Sequence, residues 1–192
     1  MSIPAPIIRA SVAEVPALQG SPLAIIGLGA NLAAAESPPL GTLQLALESM
    51  ANLSKGPVLV SSWWETEPLD CPPGSPRFIN GVAVFSPQDA SPHRLLRDLQ
   101  RIEERFGRVR SGTRNAARPL DLDVLCVGDT QCSDEILTLP HPRMHTRRFV
   151  LVPLLEVLPE FVIPGFSLSA IKLLELTENH GRISRINRNS AL

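Results

Sequence analysis

The sequence predicts an α+β fold of the ferredoxin-like, split βαβ type, with a mostly antiparallel sheet and helices packed on it. Three observations support this prediction. The apolar segments follow the order strand, helix, strand, strand, helix, strand; both helical segments carry a single apolar stripe; and breaks rich in proline or glycine separate the elements. Because this fold class hosts many functions, function has to be argued from individual side chains.

Two apolar elements open the predicted fold. Residues 23–28 form a continuous apolar run closed by Gly29, which predicts a strand buried on both faces. After a loop rich in Ala, Ser and Pro, a first helix is predicted by apolar residues at helical spacing, namely Leu40, Leu43, Leu47 and Met50.

The remaining elements are bounded by typical start and stop signals. Residues 58–64 and 78–85 are predicted as the second and third strands, separated by a loop with five proline or glycine residues. Ser91-Pro92 is a typical helix start and Gly107 a typical stop. The fourth strand is predicted at 120–127 and a closing helix at 171–176.

The composition is that of an ordinary globular protein, with 192 residues, 44% hydrophobic and 19% charged. This length favours one domain, which we assign to residues 21–192, after a poorly ordered extension at residues 1–20. The formal net charge of −1 provides no field for nucleic acid or an anionic membrane, and no apolar run approaches the roughly 20 residues of a membrane helix. The three cysteines lack metal-ligand spacing and fit a reducing compartment, so we expect a cytoplasmic protein.

A pair of carboxylates begins the fourth predicted strand, in the motif Arg118-Pro119-Leu120-Asp121-Leu122-Asp123. Side chains two residues apart on a strand share a face, so Asp121 and Asp123 point the same way. Two carboxylates held close together repel each other unless a cation lies between them, and hard oxygen ligands favour Mg²⁺. Such a pair can bridge two ions. If the two residues are considered without their surroundings, a solvated acidic strand end explains them equally well.

Arginines are concentrated just upstream of the acidic pair, at positions Arg101, Arg105, Arg108, Arg110, Arg114 and Arg118. Guanidinium groups suit bidentate contacts with phosphate oxygens. The chain has 16 Arg and 2 Lys, so a general abundance of arginine explains part of this cluster. Its position beside two carboxylates favours a site for a polyphosphate with magnesium. Glu103, at the edge of the helical stripe, either orients an arginine or a nucleotide hydroxyl or forms a plain intrahelical ion pair.

Phe78 and Asn80 share one face at the start of the third predicted strand. An aromatic face beside an amide, which both donates and accepts, suits a flat heterocycle. On these two residues alone, a core phenylalanine and a turn asparagine are the favoured explanation.

Several motifs together resemble those of the 6-hydroxymethyl-7,8-dihydropterin pyrophosphokinases and stand in that family's order. The resemblance covers residues 23 to 164, most of the chain. The Leu-Asp-Leu-Asp element after Arg118 is the most specific. It is accompanied by Gly29-Ala30-Asn31-Leu32, Thr66-Glu67-Pro68, Phe78-Ile79-Asn80, Gly107-Arg108-Val109-Arg110 and Pro140-His141.

This resemblance implies a diphosphotransferase that moves diphosphate from Mg-ATP to a reduced hydroxymethyl pterin, releasing AMP, in folate biosynthesis. It implies Asp121 and Asp123 as ligands of two Mg²⁺ ions. The implied catalytic phosphate contacts are Arg108, Arg110 and Arg118. The implied ATP-binding residues are Gln100, Glu103, Arg108, Thr138, His141 and Arg147. The implied pterin-binding residues are Thr66, Leu69, Phe78, Asn80 and Phe149, with the two phenylalanines on opposite faces of the ring.

The chain departs from the family in the loop before the acidic strand, where Asn115-Ala116-Ala117 replaces the usual Trp-Gly-Pro. We expect this loop to close less fully as a result. Two alternatives are a catalytically weakened homologue that binds pterin and ATP, and a binder of single-stranded RNA with the strand order of an RRM domain. The 4% aromatic content with no tyrosine, the missing RNP1 pattern and the near-zero charge count against RNA. We therefore expect no nucleic-acid or membrane partner, and the family resemblance implies a monomer.

Overall fold

The sheet is built around one central strand, β2 (Ala24–Ala30), which pairs antiparallel with β5 (Phe78–Phe85) on one side and β6 (Asp121–Val127) on the other. We describe a computed structural model, and it covers residues 4–34, 37–69, 71–108, 117–178 and 181–187. The strand order is β1-β3-β5-β2-β6, where β1 is Ile7–Ile8 and β3 is Val58–Val60. The α+β prediction is confirmed, and the sheet is mixed because β1 runs parallel to β3.

Helices cover both faces of this sheet, with α1 (Pro39–Ala51) and α2 (Pro92–Arg105) on one side. On the other face lie α3 (Arg148–Val157) and α4 (Ala170–Leu176). Each face of the sheet carries its own hydrophobic core: the first core lies under α1 and α2, and the second lies under α3 and α4. Strand β2 is apolar throughout because Ile26 packs into the first core and Ile25 into the second. No helix among the described residues combines the length and the apolar character needed to cross a bilayer.

The prediction of one continuous second strand is wrong. Residues 58–64 divide into β3 and a separate β4 (Trp64–Thr66), although both pair antiparallel with β5. Ser61 lies in the break, where its hydroxyl oxygen accepts the Val82 amide at 3.0 Å and its own amide donates to the Val82 carbonyl at 3.0 Å. A side chain thus replaces part of the backbone ladder, which a strand-propensity argument does not anticipate.

Helix α3 was not predicted, because Pro153 lies in its interior and proline normally ends a helix. The helix forms because its apolar face is deeply buried: Leu151 and Leu154 are fully inaccessible to solvent. Burial of this face offsets the missing backbone hydrogen bond. Among the short elements also missed are β7 (Cys132–Ser133) and β8 (Thr138–Leu139), which pair with each other, and β9 (Ile183–Arg185), which pairs with β4.

Residues 4–20 differ from the expected poorly ordered extension. They include β1 and two 3-10 turns, Val12–Glu14 and Pro16–Leu18. Leu18 is only 1% exposed and packs into the second core. No periodic pattern in the sequence signals this contact, because the segment contributes single apolar residues to the core.

The packing of Leu18 predicts a measurable loss of stability when it is truncated. Leu18→Ala should lower the free energy of unfolding by about 2–4 kcal/mol, because it removes a buried side chain and leaves a cavity. Leu45→Ala is the matched control, since Leu45 is 44% exposed on α1; it should cost less than about 1 kcal/mol. Equal effects of the two changes in urea unfolding would show that residues 4–20 do not contribute to the core.

Candidate active site

The acidic pair lies at the start of β6, on the face of the sheet that also carries α3. Asp121 and Asp123 stand opposite Gly29 and Gly27 of β2. Gly29 leaves room beside Asp121: a β-carbon at position 29 would lie 3.0 Å from Asn80 Oδ1 and 3.8 Å from Asp121 Cβ. The floor of the site therefore depends on the absence of a side chain at Gly29.

The electrostatics of the pair are those of a cation site. Burial, followed by repulsion from Asp121, raises the pKa of Asp123 to about 6. The positive charges of Arg147, Arg108 and Arg118 lower that pKa but do not cancel the increase. The folded protein thus pays for holding two carboxylates together, and a bound cation would relieve this repulsion.

Arg108 links the acidic pair to helix α2. Its guanidinium donates hydrogen bonds to Glu103 and to Asp121. Glu103 is itself buried and accepts the Leu122 amide of β6 at 2.7 Å. Burial opposes the charge of Arg108, but attraction to Asp121 and Glu103 outweighs it, so the pKa of Arg108 is raised. Glu103 therefore orients an arginine, one of the two roles that its position suggested.

Arg118 reaches the same carboxylate, and its backbone is held by Asn31. The guanidinium donates to Asp121 Oδ2 at 3.0 Å, while the Arg118 amide donates to Asn31 Oδ1 at 2.7 Å. Asn31 also donates from Nδ2 to the carbonyl of Pro76 at 3.3 Å. One buried amide thus joins the loop that leads into the acidic strand to the loop that leads into β5.

Aromatic and amide groups line the same cavity, whose volume is about 170 Å³. Phe78 and Asn80 enter from β5, and Phe149 enters from the first turn of α3. Asn80 donates from Nδ2 to Thr66 Oγ1 at 2.7 Å, which fixes the orientation of the amide. The guanidinium carbon of Arg147 lies 5.2 Å from the centre of the Phe149 ring, a cation–π contact.

His141 is a neutral ring at physiological pH. Burial, followed by the charges of Arg147 and Arg143, lowers the pKa of His141 to about 4. The Arg143 amide donates to His141 Nδ1 at 3.2 Å, so the single ring proton of the neutral form lies on Nε2. His141 can therefore donate one hydrogen bond to an anion without carrying charge.

The cavity gathers most of the side chains that the sequence singled out. The predicted residues that line it are Thr66, Leu69, Phe78, Asn80, Arg108, Arg118, Asp121, Asp123, His141, Arg147 and Phe149. Glu103, which contacts the lining residue Arg108, is not itself among the lining residues, and neither are Gln100 and Thr138. Arg110, Asn115 and Ala116 lie outside the described residues. The binding roles of all these side chains stay predictions.

Sequence reasoning assigned no role to four other residues of the wall, Gly29, Glu67, Cys71 and Arg143. Gly29 and Glu67 belong to motifs that were recognised, so their position in those motifs was an available signal. Arg143 lies between His141 and Arg147, two residues already predicted to be near ATP, and this spacing was a signal too. For Cys71 the sequence offered none.

Comparisons with known proteins find similarity to one family of enzymes. Residues 25–159 match the family model described as 7,8-dihydro-6-hydroxymethylpterin-pyrophosphokinase. The chain is 42% identical over 143 residues to the 2-amino-4-hydroxy-6-hydroxymethyldihydropteridine pyrophosphokinase of Haemophilus influenzae, covering 74% of this chain and 85% of that one. It is 39% identical over 153 residues to the Synechocystis protein of the same name, covering 79% and 74%.

A solved structure supports the fold. The crystal structure of wild-type Plasmodium falciparum HPPK-DHPS aligns with a TM-score of 0.63 at 14% sequence identity. The alignment covers 81% of this chain but only 44% of that longer chain. At this low identity the match concerns the arrangement of helices and strands.

The raised pKa of Asp123 predicts a specific pH dependence in the metal-free protein. A carboxyl whose folded-state pKa lies above its ordinary value of 3.8 stabilises the fold at low pH, and this contribution is lost as the pH rises through about 6. The unfolding free energy of the wild type relative to Asp123→Asn should therefore fall between pH 4 and pH 6. Urea unfolding in the presence of a chelator measures it.

Asp129→Asn is the matched control for this comparison, because Asp129 is exposed on the turn after β6. Its difference from the wild type should stay nearly constant across the same pH range. A constant difference for Asp123→Asn as well would contradict the proposed crowding of the two carboxylates.

Proposed function

The chain belongs to the 7,8-dihydro-6-hydroxymethylpterin-pyrophosphokinase family, and on that premise we propose that its cavity transfers diphosphate from Mg-ATP to 6-hydroxymethyl-7,8-dihydropterin. AMP leaves, and the pterin diphosphate enters folate biosynthesis. The observation that carries the proposal is that one cavity holds the acidic pair, the arginines bonded to it and the rings of Phe78 and Phe149. A site for charged phosphates thus adjoins a site for a flat heterocycle.

The donor set of the cavity fits magnesium that arrives with a nucleotide. Among the described residues, no group of three or more His, Cys, Asp or Glu side chains could hold a metal on protein ligands alone. Mg²⁺ commonly takes one or two carboxylates and completes its shell with phosphate oxygens and water. We propose that Asp121 and Asp123 hold two Mg²⁺ ions with ATP. When bound, the ions neutralise charge on the phosphate oxygens.

The arginines would exchange partners when the nucleotide enters. Arg108 and Arg118 both contact Asp121, whose oxygens would then be needed as ligands of Mg²⁺. Their guanidinium groups are already in the cavity, so they can turn from the carboxylate to phosphate oxygens over a short distance. We assign the same role to Arg110, and we place ATP near Gln100, Glu103, Thr138, His141 and Arg147.

The pterin would occupy the aromatic part of the cavity. We propose that Phe78 and Phe149 stack on its two faces, because both rings line the cavity from different elements. Asn80, fixed by Thr66, would hydrogen-bond the edge of the ring, and Thr66 and Leu69 would contact it largely through their backbone. Such pairing of stacking and edge contacts is how proteins commonly select flat heterocycles.

The reaction requires little covalent chemistry from the protein. The hydroxymethyl oxygen would attack the β-phosphorus of ATP in line, the bond to the bridging oxygen of AMP would break, and the hydroxyl proton would pass to solvent. His141 is neutral and can donate from Nε2, which suits binding of a phosphate oxygen more than removal of a proton. Positioning and charge stabilisation by Arg108 and Arg118 would supply most of the rate.

The remaining proposals concern the whole chain. Membership of this family does not favour the RNA-binding alternative. We propose a split βαβ unit of ferredoxin-like type for β2 to β6, supported by the antiparallel registers of β5 and β6 on β2. We further propose a cytoplasmic monomer made of one pyrophosphokinase domain.

The proposal predicts that both carboxylates are required for transfer. Asp121→Asn and Asp123→Asn should each lower the rate of AMP release with ATP and the hydroxymethyl pterin by more than about 100-fold, or about 2.7 kcal/mol. Asp129→Asn should leave the rate unchanged. Folding should be preserved in Asp123→Asn, because that change relieves repulsion. A rate within about tenfold of the wild type in either variant would sink the metal assignment.

The aromatic wall predicts a selective loss of pterin binding. Phe78→Ala and Phe149→Ala should each weaken pterin affinity by roughly 1–3 kcal/mol, the scale of a lost aromatic stack, with little change in ATP affinity. Phe166→Ala is the matched control, because Phe166 is 37% exposed and is not part of the cavity wall. Titration calorimetry that finds unchanged pterin affinity in Phe78→Ala would refute the stacking arrangement.

A further inference from the structure

Arg143 is a cation of the cavity wall whose backbone is fixed on both sides. Its amide donates to His141 Nδ1 at 3.2 Å, and its carbonyl accepts the Thr146 hydroxyl at 3.2 Å. The next residue, Met144, is fully buried in the second core. The side chain of Arg143 therefore starts from a rigid point, although the residue itself is exposed.

Within the part of the chain that the structure describes, no acidic side chain pairs with Arg143. This sets it apart from Arg108 and Arg118, which both contact Asp121. Arg101, on α2 outside the cavity, pairs with Asp98 at 3.1 Å. A fixed cation without an acidic partner, at the wall of an anion-binding cavity, has its hydrogen-bond donors available for a ligand.

The cations of the cavity form two groups. Arg108 follows helix α2 and, with Arg118, surrounds the acidic pair. Arg143 and Arg147 belong instead to the segment around His141, and both charges depress the pKa of that ring. Two cationic groups separated along the chain and lining one cavity suit the two parts of a nucleotide that is cleaved between them. The inference that follows rests on the proposed function.

We propose that Arg143 binds the terminal phosphate of ATP, one of the two phosphates that are transferred to the pterin. If the nucleoside lies towards α2, Arg108 and Arg118 contact the phosphate nearest to it, and Arg143 contacts the one farthest from it. Arg143 then binds ATP and the pterin diphosphate product, and it makes no contact with AMP or with the unreacted pterin. Its contact is a charge-assisted, forked hydrogen bond to phosphate oxygens.

A nucleotide series tests this assignment by titration calorimetry with Mg²⁺. Arg143→Ala should weaken binding of a non-hydrolysable ATP analogue by roughly 10-fold to 100-fold, the range of a lost charge-assisted hydrogen bond. AMP affinity should change by less than about twofold, or about 0.4 kcal/mol. Arg143→Lys should recover part of the affinity for the analogue, because it keeps the charge without the fork. Arg101→Ala, on a similarly exposed arginine outside the cavity, should leave both ligands unaffected.

The outcomes separate this inference from the proposed function. If the wild type binds the analogue and Arg143→Ala weakens AMP equally, or weakens neither ligand, the assignment to the terminal phosphate is overturned while the proposed function stands. If the wild type itself binds no ATP analogue, the proposed function fails and this inference fails with it. An unchanged melting temperature of Arg143→Ala and Arg143→Lys confirms that the comparison is made between folded proteins.

Discussion

The structure of the cavity depends on one electrostatic constraint: two carboxylates on one face of one strand need positive charge beside them. Asp121 and Asp123 lie on the same face of β6, and the pKa of Asp123 is raised first by burial and then by repulsion from Asp121. Arg108 and Arg118 meet this need through Asp121, and buried Glu103 anchors Arg108 to the backbone of β6. The resting cavity thus carries its own counter-charges, which are the groups that a magnesium-bound nucleotide would engage.

This arrangement also joins the two halves of the cavity. Asn31 follows β2 and holds both the amide of Arg118 and the carbonyl of Pro76. Because Pro76 lies two residues before Phe78, this contact fixes the start of β5, with Phe78 and Asn80, relative to the acidic side of the cavity. Because β2 pairs with both β5 and β6, a single strand sets the spacing between the predicted phosphate and heterocycle sites.

The sequence predicted the parts of the molecule that rest on local periodicity. The two-residue spacing of Asp121 and Asp123, and that of Phe78 and Asn80, fixed their common faces before any tertiary contact was known. The same reasoning failed where tertiary burial overrides a local signal. Proline at 153 suggested a break, yet the buried face of α3 keeps the helix intact.

Other features could not be predicted because they depend on contacts between distant segments. Leu18 belongs to the core only because residues 4–20 fold back on the sheet. The hydroxyl of Ser61 replaces a backbone partner of Val82, which divides a strand that looks continuous in the sequence. That no acidic side chain of the described residues pairs with Arg143 is likewise a property of the folded surroundings, since its sequence neighbours are no guide to which acids lie near it.

The most direct test of the proposed diphosphate transfer is the identity of the products, because we propose that ATP is cleaved between its α- and β-phosphates. Phosphorus NMR of the purified protein with ATP, Mg²⁺ and 6-hydroxymethyl-7,8-dihydropterin should show AMP and the pterin diphosphate accumulating in equal amounts. Neither product should form when the pterin is omitted. Formation of ADP and a pterin monophosphate, or hydrolysis of ATP that does not depend on the pterin, would contradict diphosphate transfer.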